Sequence, residues 1–153
     1  MIRQASYFRR KPGMSVADFQ NYWRIQHATV VRDLPQMQRY RQNHVVDAAY
    51  DPAEPPFDGI AEIWFDSIED ARANTGHPHL EVIRADEANF IDPDSMGSLI
   101  LDENIVLEPP TGPVGLKLMA LIKRRDGISL EAFRSGYGGE VAPLVATMPG
   151  LSG

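Results

Sequence analysis

Six side chains in this 153-residue chain stand out by type and position as able to move a proton or hold an ion: His27, Tyr40, His44, Glu62 and the pair His77 and His79. His27 falls in the middle of a series, Val16, Phe19, Trp23, Val30 and Leu34, that recurs every three or four residues and so marks the apolar face of a helix. An imidazole in such a stripe needs a hydrogen-bond partner, and burial can move its pKa across neutrality, which suits a general base or acid. The same position equally suits a structural histidine satisfied by a backbone carbonyl. Tyr40, Gln42 and His44 share one face of a strand by the period-two rule, either as a solvated surface or as the wall of a pocket. If that wall faces the first helix, Tyr40 and His27 converge on one ligand, the phenol orienting an oxygen while the imidazole transfers a proton, with His44 a further oxygen-binding candidate. Glu62 alternates with Ile60 and Trp64. It reads either as a carboxyl with a raised pKa or as the partner of Arg39 or Arg41 across the sheet. In His77-Pro78-His79 two imidazoles stand close enough to chelate, but no third ligand is near in sequence and Pro78 suits a helix start.

The elements that must carry these residues are legible from turn and cap chemistry. Ile2 to Arg9 reads as a strand stopped by Lys11-Pro12-Gly13. Ser15, with Asp18 three residues later, forms an aspartate version of the capping box and opens the helix, which Pro35 ends. Met37 to Val46 is predicted as a strand, Ala48 to Pro56 as a proline-bearing loop, and Phe57 to Phe65 as a strand. Ser67 with Asp70 repeats the cap before a short helix, and His79 to Ile91 has helical spacing. Asp92 to Ser98 is predicted as a loop and Glu103 to Leu107 as the last strand. The order β-α-β-β-α-β is that of an α+β, ferredoxin-like domain with an antiparallel sheet.

A Pro/Gly-rich linker, residues 109–115, follows this domain of residues 1–108. Leu116 to Gly153 then aligns without a gap to Ile2 to Arg39: Arg10, Gly13, Ser15, Phe19, Ala28, Val31 and Pro35 recur as Arg124, Gly127, Ser129, Phe133, Ala142, Val145 and Pro149. The matches fall on the turn, the cap, the buried face and the helix stop, so residues 116–153 read as a partial second repeat, one strand and one helix. Val141 stands where the first copy has His27, which assigns any chemistry to the first copy.

The chain carries a net charge of -6 and no cysteine, which speaks against nucleic acid as a partner and rules out disulfides and cysteine-ligated zinc. The basic run Arg9-Arg10-Lys11 reads as a solvated strand end. There is no secretory h-region and no apolar run of membrane length, so a cytoplasmic, membrane-free location is expected. Glycine-rich phosphate loops, serine elbows and dinucleotide fingerprints are absent.

The segments Phe8-Arg9-Arg10-Lys11-Pro12-Gly13-Met14-Ser15, Phe19-x-x-Tyr22-Trp23-x-x-x-His27-Ala28, Tyr40-x-x-Asn43-His44, Asp58-Gly59-Ile60-Ala61-Glu62-x-Trp64-Phe65-Asp66-Ser67 and Asp86-Glu87-x-x-x-Phe90-Ile91-Asp92 together resemble the EthD domain from Ile2 to about Leu107. The resemblance implies a ferredoxin-like domain that dimerises through its sheet into an α/β barrel, with a small-molecule pocket between sheet and helices. Relatives in that superfamily include cofactor-independent isomerases of muconolactones, polyketide cyclases, quinone-forming monooxygenases and dehydratases, and neither a cofactor nor a metal is expected for this chain. By similarity to a methylmuconolactone isomerase, His27 matches a proton-transferring histidine and Tyr40 a pocket tyrosine; that relative has a cysteine where Ile63 stands here. Two functions are therefore expected to compete. One is a cofactor-independent isomerase, lyase or oxygenase acting by proton transfer on a small aromatic, polyketide-like or lactone-like compound. The other is a non-catalytic binding or dimerisation domain. Either is expected as a homodimer, or as a pseudo-dimer within a longer tandem chain.

Overall fold

The turn at Lys11 to Met14 closes on the Met14 N–H to Lys11 carbonyl bond (3.0 Å), and Gly13 takes φ +83°, a conformation that favours glycine. The Ser15 hydroxyl accepts the Asp18 N–H at 3.1 Å and donates to the Asp18 carboxylate at 2.7 Å, completing the reciprocal cap. In the computed structural model, which describes residues 1–108, 112 and 115–150, the chain forms two compact units, Met1–Glu103 and Asn104–Gly153.

In the first unit, β1 (Ile2–Arg10) is followed by α1 (Val16–Tyr22), which runs through a π turn (Trp23–His27) into α2 (Ala28–Val31). β2 (Arg39–His44), a 3₁₀ turn (Asp47–Tyr50), β3 (Gly59–Phe65), α3 (Ile68–Ala73), α4 (Pro78–Glu87) and β4 (Ile91–Leu101) complete it. The sheet order is β2-β3-β1-β4 and every neighbouring pair is antiparallel. This is the ferredoxin-like α+β fold of the dimeric α/β-barrel type. Phe8, Phe19, Trp23 and Phe90 fill one buried cluster on the helix side, and Val31, Leu34, Phe65 and Ile83 fill a second.

The last strand differs from the sequence expectation. Asp92 to Ser98 is part of β4 rather than a loop, and Glu103 to Leu107 forms no strand. Pro93 and Gly97 read as breakers, but β4 lies at the sheet edge, where a proline need not donate to a ladder. The pairing slips between Tyr7 and Arg9, and Ser95 holds the irregular stretch by accepting the Arg9 N–H at 2.8 Å. Gly97 is required there because a side chain would collide with the Tyr7 phenol.

Glu62 points to the other face of the sheet, 1% exposed. Its ion pair is with Arg3 of β1, at 3.0 Å, and Asn43 donates to it at 3.0 Å. Arg39 and Arg41, the partners expected from the sequence, lie over the Trp64 ring at 5.1 and 5.5 Å. Trp64 attracts them because an aromatic face draws guanidinium groups. The basic run is likewise more engaged than a solvated strand end: Arg10 bonds Glu54 at 2.8 Å and Asp58 at 2.5 Å, and Lys11 donates to the Ala88 carbonyl at 3.1 Å.

In the second unit, α5 (Leu130–Gly136) leads through a π turn (Tyr137–Val141) into α6 (Ala142–Ala146). Residues 116–125 form no strand, contrary to expectation, since a strand needs a ladder partner and no other strand exists among the described residues of this unit. The linker prolines Pro109, Pro110 and Pro113 lie outside the described residues.

Candidate functional site

A cavity of about 550 Å³ opens between the inner face of the first unit's sheet and its helices, within the usual size range for small-molecule sites. Gln4, Ser6, Ser98, Ala61 and Ile63 line it from the strands, with Val31, Leu34, Leu80 and Ile83 from the helices and the following turn. His27, Tyr40 and Glu87 add titratable groups to this mostly apolar wall.

His27 is 4% exposed, and its ring packs 4.8 Å from the Phe90 ring. Its Nδ1 lies 2.7 Å from Asp86 Oδ2, while Nε2 has no protein partner among the described residues. Asp86 is itself fixed: Tyr22 donates its hydroxyl proton to Oδ1 at 2.8 Å, and Asn89 donates to the Tyr22 oxygen at 3.0 Å. Tyr22 and His27 are five residues apart, about 1.4 turns of α-helix, which would put them on different faces. The π turn at Trp23–His27 widens that step so that both reach the same carboxylate.

This arrangement sets the tautomer. An ionised Asp86 can only accept, so Nδ1 carries the proton and the lone pair resides on Nε2. Burial lowers the His27 pKa, opposed by the bond to Asp86 and its charge, so the ring is neutral at pH 7 and able to take a proton. Tyr22 is pushed up chiefly by its bond to Asp86.

Tyr40 receives a hydrogen bond from Trp23 Nε1 at 3.1 Å and a longer one from Gln42 Nε2 at 3.3 Å. Its phenol is raised first by burial, so it keeps its proton and can donate it. His44 shares that strand face but does not line the cavity. It packs against Trp23 with centroids 4.3 Å apart, and its Nε2 donates to Gln42 Oε1 at 3.1 Å. The same Gln42 amide donates to the Trp23 carbonyl at 2.7 Å, so His44 is linked to Tyr40 through Gln42 and through the Trp23 ring. Burial lowers the His44 pKa to about 4, helped by the charge of Arg24.

The other candidates have structural roles. His77 caps α4 by accepting the His79 N–H at 3.1 Å, and His79 Nε2 donates to the Val30 carbonyl at 2.8 Å. No group of three or more metal-ligating side chains occurs among the described residues.

Asp86 and Glu87 were not singled out as site residues by sequence reasoning. The signal was present as an acidic pair ending a helix just before buried Phe90, but it points nowhere until α4 packs beside the π turn. Glu87 is raised to about 7 by burial and the charge of Asp86, partly offset by Arg84.

The EthD domain family model matches residues 11–94, more than half of the chain. No curated protein matches the chain. Among solved structures, an EthD family protein of Bacillus halodurans is 17% identical, with TM-score 0.55, over 68% of this chain and 99% of its own. A dimeric ferredoxin-like protein of Bacteroides fragilis is 10% identical, with TM-score 0.50, over 67% and 95%. SnoaB, a cofactor-independent oxygenase of Streptomyces nogalater, is also 10% identical, with TM-score 0.50, over 69% and 95%. At these identities the structures share the fold, and no helix among the described residues is long and apolar enough to cross a membrane. The family match, the sheet order and the cavity beneath the first helix agree, and this chain belongs to the EthD domain family.

Proposed function

We propose that the first unit is a cofactor-independent enzyme that transfers protons on a small carbonyl-bearing compound of aromatic, polyketide-like or lactone-like type. The observation that carries this reading is His27: Nδ1 is anchored on Asp86 at 2.7 Å and Nε2 is left without a partner in a residue that lines the cavity. In this mechanism the substrate carbonyl accepts the Tyr40 hydroxyl proton as a hydrogen bond, which acidifies the adjacent C–H. His27 Nε2 removes that proton, and Asp86 stabilises the imidazolium that forms. His44 acts at one remove, holding Gln42 and through it Tyr40.

The family's fold further supports a homodimer as the working form, as in the dimeric relative from Bacteroides fragilis. We also propose that residues 116–150 are a partial second repeat. The support is local: Gly127 takes φ +83° as Gly13 does, Ser129 caps Ala132 as Ser15 caps Asp18, and the π turns at Trp23–His27 and Tyr137–Val141 occupy aligned positions.

The test is solvent exchange. 1-Tetralone in D₂O loses its C2 protons when a base removes them, and proton NMR follows the loss. The chain is expected to accelerate this exchange by roughly 10²–10⁴-fold over buffer, and His27→Ala to abolish the gain. If cavity resonances shift on adding the ketone while exchange stays at the buffer rate, the protein is a binding domain and the catalytic reading falls.

A further inference from the structure

Glu87 is the one acidic side chain lining the cavity that the mechanism above leaves unused. It is the last helical residue of α4, next to Asp86, and neighbouring positions on a helix point in different directions. Asp86 turns to Nδ1 of His27, whereas Glu87 lines the cavity with His27 and Tyr40. Its carboxyl lines the cavity and makes no hydrogen bond or ion pair among the described residues, which leaves it open to a bound compound. The groups that bear on it are Arg84 and Asp86 from its own helix and Tyr40 from β2, whose phenol feels the Glu87 charge. Arg84 also lines the cavity and donates to Glu81 at 3.1 Å.

We infer that Glu87 is a second catalytic residue, the general acid that gives a proton to a hydroxyl leaving from the carbon β to the substrate carbonyl, so that the site eliminates water from β-hydroxy carbonyl compounds. The inference rests on the proton-transfer reading of His27. In the step, His27 Nε2 takes the proton from the α-carbon, and that C–H pair becomes the C=C bond. The β-carbon–oxygen bond breaks, its pair stays with oxygen, and the Glu87 carboxyl supplies the proton that makes water. Imidazolium and carboxylate remain, and one proton passing between them through solvent restores both, with no oxidant or reductant. Tyr40 suits this acid role less well, because its pKa is raised and its hydroxyl is placed to hold the carbonyl oxygen. A carboxyl titrating near 7 is half protonated at neutral pH, where a general acid is most effective.

Two measurements test it. The Glu87 side-chain ¹³C resonance, followed by NMR from pH 4 to 9, is expected to titrate near 7, and a midpoint in the ordinary carboxylate range near 4.3 overturns the proposal, because no proton would be there to give. The second compares water loss from 3-hydroxy-1-tetralone, which yields 1-naphthol, with deuterium exchange in 1-tetralone. Glu87→Gln is expected to lower the ratio of elimination to exchange by about 100-fold, and an unchanged ratio overturns the assignment. If the unaltered chain catalyses neither reaction, the His27 reading fails instead; exchange without elimination retires Glu87 alone.

Discussion

Replacing Asp86 by asparagine changes one oxygen to an amide nitrogen, and the surrounding hydrogen bonds dictate which way the new side chain must face. Asn89 donates to the Tyr22 oxygen, so the Tyr22 proton goes to Oδ1 of residue 86 and the amide oxygen remains there. The NH₂ then faces His27 Nδ1, which must become an acceptor, and the imidazole proton moves to Nε2. The base thereby loses the lone pair that the cavity requires. Exchange of 1-tetralone protons is expected to fall by roughly 10²–10⁴-fold at neutral pH. Stability changes much less: a charge-assisted bond worth about 1.5–3 kcal/mol becomes a neutral one worth about 0.5–1.5, a loss of about 1–2 kcal/mol. The His27 pKa, already lowered by burial, falls further, because the Asp86 bond and charge are the influences that raise it. Long-range ¹H–¹⁵N correlation NMR reads the tautomer directly, with Nε2 changing from a bare nitrogen to an N–H, and urea unfolding reads the stability. A wild-type spectrum with the proton already on Nε2, or an Asp86→Asn spectrum with no change of tautomer, refutes the reasoning.

Two other predictions follow from residues that pack around Trp23. The His44 pKa is depressed from about 6.5 in the unfolded chain to about 4 in the folded one, so the unfolded state binds the extra proton; stability is full above about pH 6.5 and falls as the pH drops toward 4. The slope is at most about 1.4 kcal/mol per pH unit, reduced because the ring is only half-buried, and denaturant titrations from pH 4 to 7 should show it flattened in His44→Gln; a slope unchanged by that substitution assigns it elsewhere. Gly59→Ala places a methyl 2.5 Å from Trp23 Cζ3 and 2.8 Å from Cη2, against an indole already held by Phe8 and His44. Overpacking of this kind costs about 1–3 kcal/mol, and the near-ultraviolet circular dichroism of Trp23 should change with it; a variant as stable as the parent, with an unchanged spectrum, would sink the prediction.

The elements around the site were legible because their signals are local. Ser15, Asp18, Ser67 and Asp70 cap helices through bonds spanning three residues, and these form as expected. The Val16-to-Leu34 periodicity put His27 on the apolar helix face, and alternation put Tyr40, Gln42 and His44 on one strand face; that this face meets the helix is decided by the fold. The last strand was misplaced because Pro93 and Gly97 are breakers only in a strand paired on both sides, and edge position is a property of the sheet. The partner of Glu62 was misassigned for the same reason: β1 and β2 both flank β3, and the fold chose Arg3 while Trp64 drew Arg39 and Arg41.

By itself the sequence determined a βαββαβ unit, a histidine on the apolar face of a helix and a tyrosine sharing one strand face with Gln42 and His44, since each depends on residues a few positions apart. It did not determine what His27 can do. That depends on Asp86, 59 positions away, on Tyr22 brought to the same carboxylate by a π turn with no sequence signature, and on the burial that leaves Nε2 without a protein partner. The aligned π turn of the second unit forms with Val141 in place of His27, so the turn belongs to the helix and its chemistry comes from what packs against it. Tautomer and pKa are set by groups that meet only when the chain is folded, and tertiary structure alone decides them.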